Sequence, residues 1–225
     1  DNESWIKEFV MDLGRPVLVE IVEERKHYWT VKCDMAALDA LGRPLENPTV
    51  QIDVESADRF DISYYEDEKE MRPLILHTSP TGSIERMLCA ILEDASMYEK
   101  PMFPLWLSPT QVRLVPVGED HVDSCLDILE ELSSNQIRVD MDDRDRTVGK
   151  RIRKAEQDWV PYTIVYGDRE EGSEEIPVRV RSEKGEEIKM SVEELKKEIK
   201  SKTDGMPFRR SSMPQRLSKS PSFIG

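Results

Sequence analysis

His77, Ser83 and Arg86 lie close together in the run LILHTSPTGSIERMLCAILEDA, residues 74–95. An apolar segment of strand character carries His77 into a Pro-Gly turn. The turn opens onto an amphipathic helix whose first turn holds Ser83, Glu85 and Arg86. Main-chain N–H groups at a helix start, the helix dipole and a guanidinium together suit a polyphosphate. Taken alone, a histidine at a strand end reads first as a hydrogen-bonded core residue, and only then as a metal ligand. Arg86 taken alone reads as half of a surface ion pair with Glu85 or another neighbour.

The elements that would position these groups follow from periodicity. Strands are expected at Val17–Val22, Tyr28–Lys32, Thr49–Val54 and Leu74–Thr78, forming an antiparallel sheet after a helix-like SWIKEFVMDLG. From Ser83 the residues Ile84, Leu88, Ile91 and Ala95 recur at helical spacing. The three prolines of KPMFPLWLSP then mark a domain boundary. Beyond it strand and helix alternate: strands at Gln111–Val117, Gln136–Met141, Tyr162–Tyr166 and Ile176–Arg181, helices at His121–Leu132 and Thr147–Asp158. The second of these helices packs on Val148, Ile152, Ala155 and Trp159, leaving Lys150, Arg151, Arg153 and Lys154 to face solvent or a ligand. Ser191 with Glu194 forms a capping box for a last helix on Val192, Leu195 and Ile199. The expected fold is an α+β portion over 1–107, an α/β three-layer domain with a mixed, mostly parallel sheet over 108–204, and a basic, extended tail over 205–225.

Composition limits what such a chain can bind. A net charge of −14 over 225 residues argues against indiscriminate attraction to nucleic acid, so any such contact must be local. Two places allow it: RDRTVGKRIRK from Arg144 to Lys154, and the tail, where Arg209, Arg210, Arg216 and Lys219 stand without an acidic neighbour. No apolar run approaches a membrane span. Cys33, Cys89 and Cys125 are odd in number and widely spaced, which suggests neither a disulfide framework nor an all-cysteine zinc site and fits a reducing, cytoplasmic setting. A start at Asp1 that enters a helix almost at once reads as a piece of something longer. No internal repeat, Walker loop, GxSxG elbow or HExxH pattern is present.

The wording TGSIER, followed by PLWLSPTQVRLVPVG, resembles motif 3 of the class II aminoacyl-tRNA synthetases running into their anticodon-binding domain. Within that family the resemblance is to the threonyl-tRNA synthetases of the archaeal type. It implies a threonine-tRNA ligase that joins threonine, ATP and tRNA through a threonyl-adenylate, with this chain supplying motif 3 and anticodon recognition. Motifs 1 and 2 are absent, so the fragment by itself would be inactive. Family precedent makes Arg86 the clamp on the ATP phosphates, Ser83 a residue lining the nucleotide pocket, Lys32 a lysine of the active-site sheet and Gln51 a contact to the amino acid and adenylate. ATP would come with Mg as substrate. Glu46 stands where a second glutamine is expected. His77 falls on the third ligand of a zinc ion that binds the amino and hydroxyl groups of threonine; the other two ligands would lie upstream. Zinc suits that task because an apolar pocket separates threonine from valine poorly.

The second domain resembles the class IIa anticodon-binding domain through GKRIRKAEQDWVPYTIVYGDRE and VRVR. The resemblance points to Glu170 and Arg179 as readers of the G and U that end threonine anticodons, and to Arg153 as a contact to the anticodon loop. Glu170 also sits in an acidic DREEGSEE turn of the kind usually left to solvent. A homodimer is open to the full-length protein. Two readings compete with the ligase: a non-enzymatic tRNA-binding accessory or regulatory protein derived from a synthetase, and a prolyl- or glycyl-tRNA synthetase, which shares the second domain but does not call for His77.

Overall fold

The structure is a computed structural model that describes residues 3–181 and 186–221. The last four residues of the expected tail, 222–225, lie outside the described residues. The chain divides into two compact units, Asp1–Ala37 with Pro44–Met87, and Leu38–Arg43 with Leu88–Gly225.

The first unit opens with helix α1 (Glu3–Leu13). Strands β1 (Trp29–Leu38), β2 (Pro44–Asp53) and β5 (Ile75–Ser79) form a three-stranded sheet in the order β1-β2-β5. Strands β2 and β5 run antiparallel and set Gln51 opposite His77. Between them come the short helix α2 (Ser56–Arg59) and a small hairpin of β3 (Tyr64–Glu66) and β4 (Lys69–Met71). That hairpin turns on Asp67 and Glu68, both at positive φ (48° and 63°), the backbone of a primed two-residue turn. Such turns ordinarily announce themselves with Asn or Gly, so sequence reading had no cue for it.

Three of the four expected strands of this unit form, but the segment Val17–Val22 does not. Its apolar residues have no strand to pair with, Leu18 is 96% exposed and Ile21 is 87% exposed. Apolar, β-branched residues favour a strand only where a neighbouring ladder and a packed face exist. Helix α3 (Ile84–Ser96) begins one residue after the predicted Ser83.

The second unit follows the expected alternation closely: β6 (Val112–Pro116), α4 (Val122–Ser134), β7 (Val139–Met141), α5 (Val148–Gln157), β8 (Tyr162–Tyr166), β9 (Ile176–Val180), β10 (Glu187–Met190) and α6 (Val192–Thr203). The sheet order is β10-β9-β8-β6-β7. Strands β7, β6 and β8 are parallel, β9 runs against β8 and β10 against β9, so β9 alone opposes the other four. The sheet is therefore mixed and mostly parallel. Alternate residues of β6 serve opposite faces. Val112 and Leu114 join the core with Cys125, Leu129 and Leu132 of α4 and Leu195 and Ile199 of α6. Arg113, on the other face, reaches Asp158 at the C-terminal cap of α5. Helices thus cover both faces, which is the three-layer arrangement.

Helix α6 starts on the capping box read from the sequence: Ser191 Oγ accepts from the Glu194 N–H at 3.2 Å, and Glu194 Oε2 accepts from the Ser191 N–H at 2.8 Å. Ser191→Ala should cost this unit about 1 kcal/mol, read as a lower urea midpoint with an unchanged slope.

Candidate functional site

In the first unit, one sheet face gathers three of the expected site residues, Lys32, Gln51 and His77. Register partners Gln51 and His77 face the same way across β2 and β5. Tyr28, just before β1, donates its hydroxyl to Gln51 Oε1 at 2.5 Å and sets its ring edge-on to His77, with centroids 5.4 Å apart. Four residues on, Lys32 shares the face by strand alternation. Its ammonium lies 2.7 Å from Asp34 and 3.9 Å from Glu46, and its pKa is raised above a lysine's ordinary value, chiefly by the hydrogen bond to Asp34. Lys32 is thus a firmly charged cation.

Asp53, two residues beyond Gln51, anchors this face and was not foreseen. Its side chain is wholly buried and lies 2.7 Å from His77 Nε2. Its other carboxylate oxygen accepts the N–H groups of Glu55 and Ser56 at 2.9 Å each. Burial alone would push this carboxyl up, but hydrogen bonds from Ser56, His77 and the Glu55 amide outweigh it and hold it well below the usual carboxylate range. A carboxylate on Nε2 fixes the ring and leaves Nδ1 as the nitrogen open to a metal, the arrangement that commonly orients ligating histidines. The signal was present in TVQID, where an aspartate ends the strand at the same parity as Gln51.

Arg86 lies at the other end of this arrangement. Its Nη1 donates to the Glu46 carbonyl at 3.1 Å, so Glu46 touches Arg86 through its main chain and Lys32 through its carboxylate. The Arg86 carbonyl accepts from Asn47 Nδ2 at 3.5 Å. The surface ion pair with Glu85 that sequence alone allowed does not form; Glu85 is held by its own main-chain N–H and by Ser83, which lower its pKa. Ser83 works locally, accepting the Arg86 N–H at 3.3 Å as the cap of α3. Gly82 makes the close approach between this helix and β2: at φ +68° a Cβ would sit 2.8 Å from the Asn47 carbonyl oxygen. Among the described residues no group of three or more His, Cys, Asp or Glu side chains is gathered to hold a metal, so His77 is not part of a complete metal site there.

The second unit places its expected residues apart. Arg179 stands exposed on β9 opposite Thr163, with its Nε 3.2 Å from Glu187 on β10. Glu170 lies in the turn past β8, half-buried, where its Oε2 accepts the Gly167 N–H at 3.0 Å. Arg153 is exposed on α5, as is Lys150. The basic helix face is narrower than its sequence suggests. Arg151 is 7% exposed and donates to the Asp142 carbonyl at 2.9 Å, because it shares the inward stripe with Ala155 at i+4; Lys154 is paired to Asp158. The tail likewise gives up one cation to the protein: Arg216 Nε donates to Asp143 Oδ2 at 2.7 Å.

Residues 111–202 match the anticodon binding domain family. Over 99% of its length the chain is 52% identical to the threonine–tRNA ligase of Methanobrevibacter smithii, 53% to that of Methanoculleus marisnigri and 49% to that of Methanocaldococcus jannaschii. It spans 37–38% of the length of these relatives. A crystal structure of the RNA binding domain of threonyl-tRNA synthetase from Cryptosporidium parvum superposes with a TM-score of 0.72 at 27% identity, covering 91% of this chain and 50% of that one.

Two outcomes follow. Asp53 is ionised at far lower pH folded than unfolded, so its stabilisation is complete above the unfolded carboxylate pKa of about 3.9 and drains away as pH falls below that value. Acid titration of the first unit should show this loss in the wild type and a flatter profile in Asp53→Asn. Gly82→Ala should destabilise the same unit by about 1–3 kcal/mol, seen as a lowered thermal midpoint, since both the backbone conformation and the Asn47 carbonyl oppose a methyl group.

Proposed function

We propose that this chain, a relative of threonine–tRNA ligases along nearly its whole length, serves the ATP-dependent attachment of threonine to its tRNA through threonyl-adenylate. Residues 1–107 are the C-terminal portion of a class II catalytic domain, 108–204 the anticodon-binding domain and 205–225 a basic tail. The observation that carries this reading is the near-half identity along 99% of the chain, supported by a sheet face in which Lys32, Gln51 and His77 converge.

In this reading Arg86 holds the ATP phosphates. Its guanidinium is tied to a main-chain carbonyl and not to a carboxylate, so its charge stays available to an anion. Lys32 adds a second cation on the same sheet, tempered by Asp34 and Glu46. Gln51, fixed by the Tyr28 hydroxyl, orients the amino acid and adenylate. Ser83 lines the nucleotide pocket by setting the helix start that aims Arg86. His77 would hold a zinc ion as one of its ligands through Nδ1, with Asp53 orienting the ring. Such a metal would supply recognition of the threonine hydroxyl that an apolar pocket cannot.

Arg179 and Glu170 read the anticodon, the one donating to a guanine edge and the other accepting from base N–H groups. Arg153 on α5 contacts the loop backbone. The family reading also brings in Mg with ATP, a cytoplasmic location and a homodimer of the full-length protein. No helix among the described residues is long and apolar enough to cross a membrane.

Titration of this chain with threonine tRNA, and with the same tRNA bearing replacements of the final anticodon G and U, tests the reading at fixed salt. Preference for the native anticodon is expected; equal affinity would reduce the second unit to a generic RNA-binding module. In the full-length ligase, Arg86→Ala should lower ATP–pyrophosphate exchange about 10²–10³-fold and leave tRNA affinity alone. Arg179→Ala should do the reverse, and a joint fall in both activities would reject the division of roles.

A further inference from the structure

The C-terminal segment of the second unit is built into the fold. Gln215 offers its carbonyl to the Met141 N–H at 2.8 Å, and Arg216 pairs in parallel with Met141, extending the sheet past its edge strand β7. Asp143, whose side chain is 2% exposed, fastens the segment through three donors: Arg216 Nε at 2.7 Å, the Ser218 N–H at 2.9 Å and Ser218 Oγ at 2.6 Å. The segment helps to line a cavity of about 510 Å³, Phe208, Arg210 and Ser211 from the segment meeting Thr110, Ile137 and Arg138.

The charge on the cavity is positive within an acidic chain. Asp140, its acidic wall, is already satisfied by Arg113 Nε and Nη2 and by Thr110 Oγ1. Arg138 donates to the carbonyls of Leu105, Trp106 and Ser108, which satisfy its N–H groups without neutralising it. Arg210 is exposed, and no acidic residue follows Asp204 in the sequence. Phe208 is 36% exposed with the Arg138 guanidinium 5.8 Å from its ring centroid, so an aromatic ring and a cation meet in the cavity lining. Its volume is that of a small-ligand site. An aromatic platform, a free arginine and hydroxyls in one cleft match the chemistry of an unstacked nucleotide, whose base stacks while its phosphate takes the guanidinium.

We propose that this cavity holds a single unpaired nucleotide of bound RNA, its base on Phe208 and its phosphate on Arg210, at a site separate from Glu170, Arg179 and Arg153. The inference rests on the tRNA-binding reading above. The test uses the 225-residue chain and threonine tRNA over a series of salt concentrations, with Phe208→Leu, Arg210→Ala and wild type compared after thermal unfolding has shown equal midpoints. Phe208→Leu should weaken binding about tenfold with the salt slope unchanged, as loss of one stacked base does. Arg210→Ala should weaken it less and lower the slope by about one, as loss of one phosphate contact does. Binding by wild type with both variants unaltered overturns the site while leaving the tRNA reading standing. Failure of wild type to bind at all overturns the tRNA reading itself. Arg210 is exposed, so its variant keeps the test decisive if Phe208→Leu unfolds the segment.

Discussion

Arg113 lies 4% exposed in the middle of the second unit's sheet, and a charge so placed must find partners where it sits. It makes two hydrogen bonds to Asp140 on β7 and a third to Asp158 at the end of α5, which binds edge strand, central strand and helix into one assembly. Burial opposes its charge, yet the two carboxylates raise its pKa above an arginine's ordinary value. Asp140, Arg113, Thr163, Arg179 and Glu187 are successive register partners across the whole sheet. The row is buried at one end and exposed at the other, so the same face that locks the fold presents Arg179 to solvent.

The same demand recurs wherever charge is buried. Asp53 is answered by His77 and two main-chain amides, Asp143 by the C-terminal segment, and Arg151 by the Asp142 carbonyl. Burial withdraws each of these charged groups from the inventory that could meet a ligand. With a net charge of −14, the cations left exposed and unneutralised, Arg153, Lys150 and Arg210 among them, define where an RNA backbone can be met.

Much of the fold was legible because its elements are amphipathic and punctuated. The alternation from Gln111 onward and the Ser191–Glu194 capping box are local signals, and local backbone chemistry answered them. Val17–Val22 failed as a strand because strand formation is a property of pairs, and a single segment does not display its missing partner. Arg151 was misread because a helix stripe assigned by apolar residues treats every cation as outward-facing, whereas a long guanidinium can turn in to a carbonyl.

The sequence by itself determined the residue types at the site, their order along the chain and the two-part organisation, since motif wording and hydrophobic period are written in neighbouring residues. Only the tertiary structure decided that Asp53 orients His77, that Glu46 links Lys32 to Arg86, and that the basic tail closes over β7 to form a cavity. Those relations join residues far apart in sequence. They follow from strand register and from the requirement that buried charge be paired, neither of which acts until the chain has folded.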